Sequence, residues 1–385
     1  MTLLRFHLLT NNFDTFTLSK GDEKTREDLR RKGITAPFLQ YILASEIHDP
    51  GNCTSQPYRN QVAFKPGDFC MIRDQYPDWF LRDTNGNLIV YTGSGQRYVQ
   101  MDPGNPGWQQ FFLERVQEMQ ATVDPTYGGM WDGVLLDNVD ASRTRIHRTA
   151  TQSTYPDDAS YQSAVESFLS YVYTGYFQPE DRPLHGNIVE LKEAAVWFNY
   201  LDYLDGAQQE AWAVDWNSGY INSSTWTEHL NRAEQTQANG KRVMLVAQGV
   251  ETDNTNAQQD PTDRQQFAYA SYLLIANGRA AFRYADNNQY RYVWLYENYT
   301  LDLGAPLGNR TLSGNQWRRE FERGVVTVDP VAKTSSITLN QPTPTLTATN
   351  TPTPTSAPTD TPVPPTDTPV PPTDTPVPPS ATPTA

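Results

Sequence analysis

The chain has 385 residues, enough for one large α/β domain with a sizeable core. Its formal net charge of -14 argues against nucleic acid or an anionic membrane surface as a partner and favours a neutral or cationic substrate. No run of about twenty apolar residues occurs, so no membrane insertion is expected. The five histidines are scattered without metal-ligand spacing, and we expect neither a metal nor another cofactor.

The first predicted elements are a strand at residues 14–18, a helix at 21–33 and a strand at 37–43. The helix has acids early, bases late and Gly33 at its end, which matches the helix dipole. Residues 3–8 lie too close to the first strand to be a preceding parallel strand, because a parallel crossover needs about a dozen residues or more. We therefore expect them to end a helix, and we expect Met1 to lie inside a longer reading frame whose first strand and export signal are missing.

Residues 44–101 form a long excursion rich in turn residues, with a hairpin signal at residues 84–87. Long loops at the carboxyl ends of barrel strands commonly build a substrate cleft. Both cysteines, Cys53 and Cys70, lie in this excursion. They form one disulfide if the protein is exported, or they remain two free thiols.

The sequence WDGVLLDNVD at residues 131–140 follows a predicted helix that starts with Asn105 as its N-cap and Pro106 in its first position. Residues 134–136 predict a buried strand, which ends by presenting Asp137, Asn138 and Asp140. In a parallel barrel such strand-terminal acids are the usual catalytic groups. The alternative is that an Asp here only caps a turn.

The remaining elements keep alternating between helix and strand. They are a helix at 161–176, a strand at 187–189 ending on Glu190, a helix at 191–204, a strand ending on Glu210, a helix at 225–238, a strand at 242–249, a helix from Asp260 to residue 274 and a strand at 280–284. Seven strands with one missing at the start predict a (β/α)8 TIM barrel. A doubly wound open sheet would also alternate, but no glycine-rich nucleotide loop is present.

The end of the chain contains two segments that differ in pattern and composition from the helix–strand alternation before them. Residues 325–339 alternate with period two and predict a terminal β-hairpin. From residue 340 onward the chain is Thr- and Pro-rich, and TDTPVPP is repeated. This composition predicts a disordered, extended stalk. We therefore divide the chain into a barrel domain at 1–339 and a tail at 340–385, which either attaches an extracellular protein to a cell wall or surface or has no role.

Two strand-terminal acids, Asp137 and Glu210, are the predicted catalytic pair, because glycoside hydrolysis needs one protonated acid and one ionised nucleophile or base. We assign the ionised role to Asp137, which Asn138 can hydrogen-bond, and the proton donor role to Glu210, although the reverse assignment stays open. The other predicted substrate-binding residues are polar or aromatic groups near strand ends: Lys20, Asp22, Gln40, Tyr41, Asn138, Asp140, Asn187, Trp212, Gln248 and Arg283.

Four segments together carry a resemblance to a known family: WDGVLLDNVD, DGAQQEAW, MDPGNPGW and LGAPLG…WRREFERGVVTVDP. Over most of residues 13–339 the chain resembles the hypothetical glycosyl hydrolases of family fifteen, which are similar to the endo-alpha-polygalactosaminidase barrels. The resemblance implies a barrel, a carbohydrate substrate, and acids at Asp137 and Glu210. We expect the first strand of that family to be missing from this sequence.

These observations predict an exported, metal-independent glycoside hydrolase that acts on a polysaccharide. Fold does not fix function, so a non-catalytic sugar-binding or surface-display protein on the same scaffold is the main alternative. A polysaccharide deacetylase is a third reading, which the missing metal ligands disfavour.

Overall fold

The computed structural model describes residue 13 and residues 15–93, 95–215, 219–249, 263–286 and 296–340. The strands of this part of the chain, in order, are β1 (Phe16–Leu18), β2 (Phe38–Leu43), β3 (Glu46–Asp49), β4 (Val90–Gly93), β5 (Gln96–Gln100), β6 (Gly133–Asp140), β7 (Leu184–Val189), β8 (Gly206–Gln209), β9 (Val214–Asp215), β10 (Gly219–Tyr220), β11 (Arg242–Gly249), β12 (Ala280–Asp286), β13 (Thr311–Ser313), β14 (Gln316–Phe321), β15 (Gly324–Asp329) and β16 (Thr334–Leu339). The α-helices are α1 (Glu23–Arg31), α2 (Asp68–Gln75), α3 (Pro106–Ala121), α4 (Thr144–His147), α5 (Asp158–Val172), α6 (Ala194–Leu201), α7 (Ser223–Ala238) and α8 (Arg264–Leu273).

Seven strands form one parallel sheet in the order β1-β2-β6-β7-β8-β11-β12, which confirms the predicted alternation of strands and helices. The strands connected by helices are parallel because a crossover helix returns the chain to the same end of the sheet. The described residues contain seven strands of this sheet, so the closed eight-stranded barrel remains a prediction. The predicted elements at residues 3–8, the helix start at Asp260 and the tail lie outside the described residues.

The sheet is curled, and its two faces pack against different partners. Leu39 on β2, Leu135 on β6 and Met244 on β11 belong to one small buried cluster, although β2 and β11 are far apart in the strand order. Such contact requires that the sheet curls around its inner face, so that strands distant in the order approach each other. Residues of the opposite parity, such as Leu136 and Leu245, pack with the helices in the main core.

Several helix boundaries follow from local chemistry. Asn105 caps α3 as predicted, and its side-chain oxygen accepts hydrogen bonds from the backbone N–H groups of Gly107 and Trp108. The predicted helix at 161–176 begins earlier, because Asp157 and Ser160 form a capping box. It ends as an α-helix at Val172 and continues as a π-helical turn at Tyr173–Phe177.

The excursion between β2 and α3 is more ordered than a loop. The strands β3, β5 and β4 form a three-stranded antiparallel sheet in that order. Cys53 and Cys70 form a disulfide, which decides between the two alternatives left open by the sequence. The predicted turn at residues 84–87 is closed by a hydrogen bond from Asp83 N–H to the Asn87 carbonyl at 2.9 Å.

The predicted terminal hairpin is the second half of a larger sheet. The strands β15 and β16 pair antiparallel, and β13 and β14 extend them to four strands. Within the described residues, no helix combines the length and apolar character that a membrane crossing needs.

Candidate functional site

Four polar side chains project from the inner face of the parallel sheet, in the carboxyl-terminal halves of neighbouring strands. Tyr41 alternates with Leu39 on β2, Asp137 alternates with Leu135 on β6, Asn187 lies on β7 and Glu210 directly follows β8. The period-two alternation of a strand sends residues two apart to the same face. The strands β2, β6, β7 and β8 are consecutive in the sheet, so these groups are neighbours.

Asp137 is the centre of this group. Its carboxylate accepts a hydrogen bond from the Tyr41 hydroxyl and another from Asn187 Nδ2 at 2.8 Å. Burial and the charge of Asp137 both raise the pKa of Tyr41, so the phenol keeps the proton that it donates. Two donors aimed at one carboxylate are a favourable environment for its negative charge.

Glu210 lies in a different environment from Asp137. Burial raises the pKa of Glu210 to about 7, the negative charge of Asp137 adds to the rise, and a hydrogen bond with Asn187 opposes it. Gln208 Nε2 also approaches Glu210 Oε1, at 3.4 Å. Asn187 donates to Asp137 and lies close enough to Glu210 to lower the pKa of that acid, so the three side chains form one cluster. We call Asp137 and Glu210 the acid pair.

A β-bulge brings a further polar group beside Asp137. The pairing of β6 with β7 shifts between Leu136 and Val139, so that Asp137 and Asn138 together face Asn187 alone. Asn138 adopts a left-handed conformation with φ of 58°, as one residue of a bulge often must. Its Nδ2 donates to Glu46 Oε1 at 3.0 Å.

Asp140 serves a buried ion network and not the acid pair. It is 1% exposed, and its carboxylate accepts hydrogen bonds from Arg145 Nε and Nη2, both at 2.8 Å. Arg145 also pairs with Glu46 at 2.8 Å. Glu46 and Arg145 were not identified from the sequence. The prediction that Asp140 binds substrate is wrong, because its carboxylate is buried and paired with Arg145.

Replacing Arg145 by Met is expected to lower the free energy of unfolding by about 3 kcal/mol, because it leaves Asp140 and Glu46 buried without their cation. Urea unfolding at pH 7 measures the change. The exposed pair Arg318–Glu320 supplies a matched control, and Arg318→Met should change stability by less than about 0.5 kcal/mol. Equal effects of the two substitutions would show that the buried network is not stabilising.

Two further predicted binding residues point away from the inner face. Gln40 is fully buried on the opposite face of β2, where it accepts a hydrogen bond from Gln120 of α3 at 3.0 Å. Trp212 is fully buried, and its Nε1 donates to the Ala268 carbonyl at 3.1 Å. Neither can contact a ligand at the acid pair, so both expectations are wrong.

The other predicted residues fall into two groups. Gln248 on β11 and Arg283 on β12 share the parity of Met244 and Ala281, so they lie on the inner face. Lys20 and Asp22 follow β1, where Lys20 N–H donates to Asn60 Oδ1 at 2.6 Å. Asp22 accepts from Ser19 N–H at 3.0 Å and thus closes a turn, which is the ordinary structural use of Asp.

One acid that follows β7 and one aromatic residue within β12 are also engaged in other contacts. Glu190 pairs with Arg148, and Tyr284 packs edge-on against Tyr296 at 5.7 Å. The described side chains include no group of three or more His, Cys, Asp and Glu residues that could hold a metal ion.

A separate cavity of about 350 Å³ lies at the opposite, amino-terminal ends of the strands. Pro37, Pro183, His185, Asp205 and Arg242 are among its lining residues. Burial lowers the pKa of His185 to about 3, and Arg242 adds to the effect, so this imidazole is neutral. The cavity is remote along the strands from the acid pair and is not part of the candidate site.

A curled parallel α/β sheet of this kind is consistent with a glycoside hydrolase barrel. The sequence profile of hypothetical glycosyl hydrolase family 15 matches residues 39–325. The match spans well over half of the chain, and the chain belongs to this family, as the resemblance predicted. No curated protein matches the chain.

Several solved structures are similar to the chain at low sequence identity. The glycoside hydrolase domain of PelA from Pseudomonas aeruginosa has a TM-score of 0.47 at 13% identity, with 76% of this chain and 94% of that chain covered. The alpha-galactosidase TtGalA from Thermus thermophilus has a TM-score of 0.47 at 14% identity, with 86% and 63% covered. The catalytic domain of a Paenibacillus polymyxa beta-amylase has a TM-score of 0.41 at 8% identity, with 72% and 86% covered. We base no functional inference on similarities at this level.

Proposed function

We propose that the protein hydrolyses O-glycosidic bonds of a polysaccharide with the acid pair, at the carboxyl-terminal rim of an eight-stranded barrel. Membership of a glycoside hydrolase family supports the reaction class. The observation that carries the proposal is that two carboxyl groups with different environments, Asp137 and Glu210, lie beside the same amide, Asn187, on neighbouring strands. Pairs of titratable groups with different environments are the usual basis for separate acid and base roles.

In this mechanism Glu210 is the general acid. With a pKa of about 7, Glu210 is protonated in about half of the molecules at neutral pH, and the protonated form can transfer its proton to the oxygen of the leaving sugar. Asp137 supplies the carboxylate of the mechanism, and its oxygens accept hydrogen bonds from Tyr41 and Asn187. It acts on the anomeric carbon either directly or through a water molecule.

Asn187 is also a candidate substrate contact. Its Oδ1 is buried and has no hydrogen-bond partner among the described residues, while its Nδ2 is used by Asp137. A buried polar atom without a partner is costly. A sugar hydroxyl that donates to Asn187 Oδ1 would satisfy this atom, and the inward-facing Gln248 and Arg283 would contact the same chain of sugars.

We further propose that the protein acts outside the cell. The Cys53–Cys70 disulfide supports this location, because such bonds persist in oxidising compartments. Attachment to a cell wall or surface through the tail is part of the same proposal and is based on tail composition alone.

The reaction is tested by incubating the full chain with a panel of soluble polysaccharides and measuring new reducing ends. We expect at least one polysaccharide to be cleaved by the wild type and none by Asp137→Asn/Glu210→Gln. The control Glu118→Gln replaces an acid on the outer helix α3, 42% exposed at its side chain, and should cleave at the wild-type rate. Reducing ends released equally by the double variant would rule out the acid pair, and retention of a polysaccharide without cleavage by the wild type would favour a binding protein.

A further inference from the structure

One face of the excursion sheet carries a row of rings. In the antiparallel register His48 on β3 and Tyr91 on β4 both lie directly opposite Tyr98 on β5. The ring centroids of His48 and Tyr98 are 5.5 Å apart, and those of Tyr91 and Tyr98 are 6.4 Å apart. Residues directly opposite each other share a face, and the neighbours Ile47 and Val99 occupy the other face, in the core.

The row becomes more exposed toward its outer end. His48 is 7% exposed, Tyr98 is half-buried and Tyr91 is 44% exposed. A single exposed tyrosine is ordinary, but a neighbouring residue of β4 determines where the Tyr91 ring can lie. The Tyr91 ring lies over Gly93, where an added Cβ would come within 2.7 Å of Tyr91 Cε1. Only glycine at residue 93 leaves room for the ring in this position.

The inner end of the row reaches the acid pair. Tyr58 packs edge-on against Tyr98 with centroids 6.2 Å apart, and its hydroxyl accepts a hydrogen bond from Asn60 at 3.1 Å. The Tyr58 hydroxyl is near enough to Tyr41 to influence its ionisation, and Tyr41 donates directly to Asp137. A series of rings in contact thus runs from exposed Tyr91 through Tyr98 to Tyr58, and Tyr58 lies near Tyr41, the hydrogen-bond donor to Asp137.

We propose that the aromatic surface (Tyr58, Tyr98 and Tyr91) binds the sugar units of the polysaccharide that lie beyond the bond being cleaved. The inference rests on the proposed function and deepens it, because it makes an extended sugar chain the substrate. The apolar C–H faces of pyranose rings pack against flat aromatic faces, and the tyrosine hydroxyls can hydrogen-bond to sugar hydroxyls. The successive centroid separations of 6.4 and 6.2 Å cover more than one sugar ring.

The experiment measures binding separately from cleavage. The full chain carrying Glu210→Gln is run in native gels cast with galactomannan, dextran, pectin, chitosan or mixed-linkage β-glucan. We expect one of these polysaccharides to retard the protein, and Tyr91→Ala to weaken that affinity about tenfold, the loss of about one aromatic contact. Tyr91→Trp should retain it. Tyr127→Ala is the matched control, because Tyr127 is also 44% exposed but lies before β6, at the amino-terminal end of the sheet.

Kinetics separate this role from a structural one. In the otherwise wild-type chain, Tyr91→Ala should raise KM for the retarding polysaccharide about tenfold and leave kcat/KM for a nitrophenyl monoglycoside unchanged. Gly93→Ala should reproduce the effect, because its Cβ displaces the Tyr91 ring. Thermal unfolding verifies that both variants fold.

Each outcome decides a different claim. Equal affinity of the Tyr91→Ala and Tyr127→Ala variants would overturn the aromatic surface and leave the proposed hydrolysis intact. Retardation that depends on Tyr91, combined with no cleavage by the wild type, would overturn the hydrolysis and support the surface. Absence of both retardation and cleavage across all five polysaccharides would overturn both.

Discussion

Glu210→Gln is expected to reduce kcat on the cleaved polysaccharide by about 10³-fold, because an amide cannot transfer a proton to the leaving oxygen. The loss should depend on the leaving group. A dinitrophenyl glycoside of the same sugar departs as a stable phenolate and needs no proton, so the Glu210→Gln variant should hydrolyse it within about tenfold of the wild-type rate. Initial rates on the two substrates, from reducing ends and from released dinitrophenolate, measure the contrast.

Asp137→Asn should behave differently in the same assays. It removes the ionised group that acts at the anomeric carbon, so both substrates should lose about 10³-fold or more. Thermal unfolding checks that each variant remains folded. If Asp137→Asn retained dinitrophenyl glycoside hydrolysis and Glu210→Gln did not, the two roles would be exchanged, and polysaccharide cleavage near the wild-type rate in either variant would exclude that residue.

The pH dependence of kcat/KM should report the environment of Glu210. A general acid is active only while protonated, so kcat/KM should fall about tenfold per pH unit above the pKa of about 7. The wild type would thus lose about 50-fold between pH 7, where about half of Glu210 is protonated, and pH 9. The Glu210→Gln variant, assayed on the dinitrophenyl glycoside, should show no such decline, and a decline that persists in this variant would assign the titration to another group.

The raised pKa of Glu210 also predicts how the free energy of unfolding changes with pH. The pKa of Glu210 rises from its ordinary value of 4.5 to about 7 in the folded protein, so the folded state holds a proton that the unfolded state releases. The free energy of unfolding therefore falls as pH rises from about 4.5 to about 7. The full shift corresponds to about 3 kcal/mol, and solvent screening of this partly exposed group reduces our expectation to about 2 kcal/mol.

Glu210→Gln should abolish this loss of stability at high pH. At pH 8 the variant is expected to be about 2 kcal/mol more stable than the wild type, and at pH 4 the two should be equal. Urea unfolding at both pH values measures the difference. Glu118→Gln, on the outer surface, should follow the wild type at both, and equal stability of the wild type and Glu210→Gln at pH 8 would show that Glu210 is not held in an unfavourable environment.

The sequence predicts which side chains lie on the inner face of the sheet where both the alternation of a strand and the position of its carboxyl end are clear. Asp137, Asn187 and Glu210 lie toward the carboxyl ends of three neighbouring parallel strands, and parallel strands bring these ends together. Gln40 shows the limit of that reasoning. It is one residue from Tyr41, and a shift of one residue in a strand reverses the face, so nearness to a strand end alone does not decide the direction of a side chain.

The residues that were missed depend on chain segments far apart in sequence. Glu46 meets Arg145 and Asn138 only because β3 returns over the ends of β2 and β6, and no local pattern encodes that contact. The aromatic surface had a weak signal. The segment VYTGSGQRYVQ alternates around a Gly-Ser-Gly turn, but the density of turn residues in the surrounding excursion hid two short strands.

The extra residue in β6 has a consequence for the strand that carries it. In a regular strand every second side chain lies on the same face. Asp137 and Asn138 are consecutive, yet both oppose Asn187 because of the bulge, and Asn138 contacts Glu46. Removing Asn138 alone would restore the regular alternation of β6, because Asp137 would then oppose Asn187 and Val139 would still pair with Ile188. Val139 and Asp140 would stay on the faces that they occupy now, so the deletion would chiefly cost the hydrogen bond from Asn138 to Glu46.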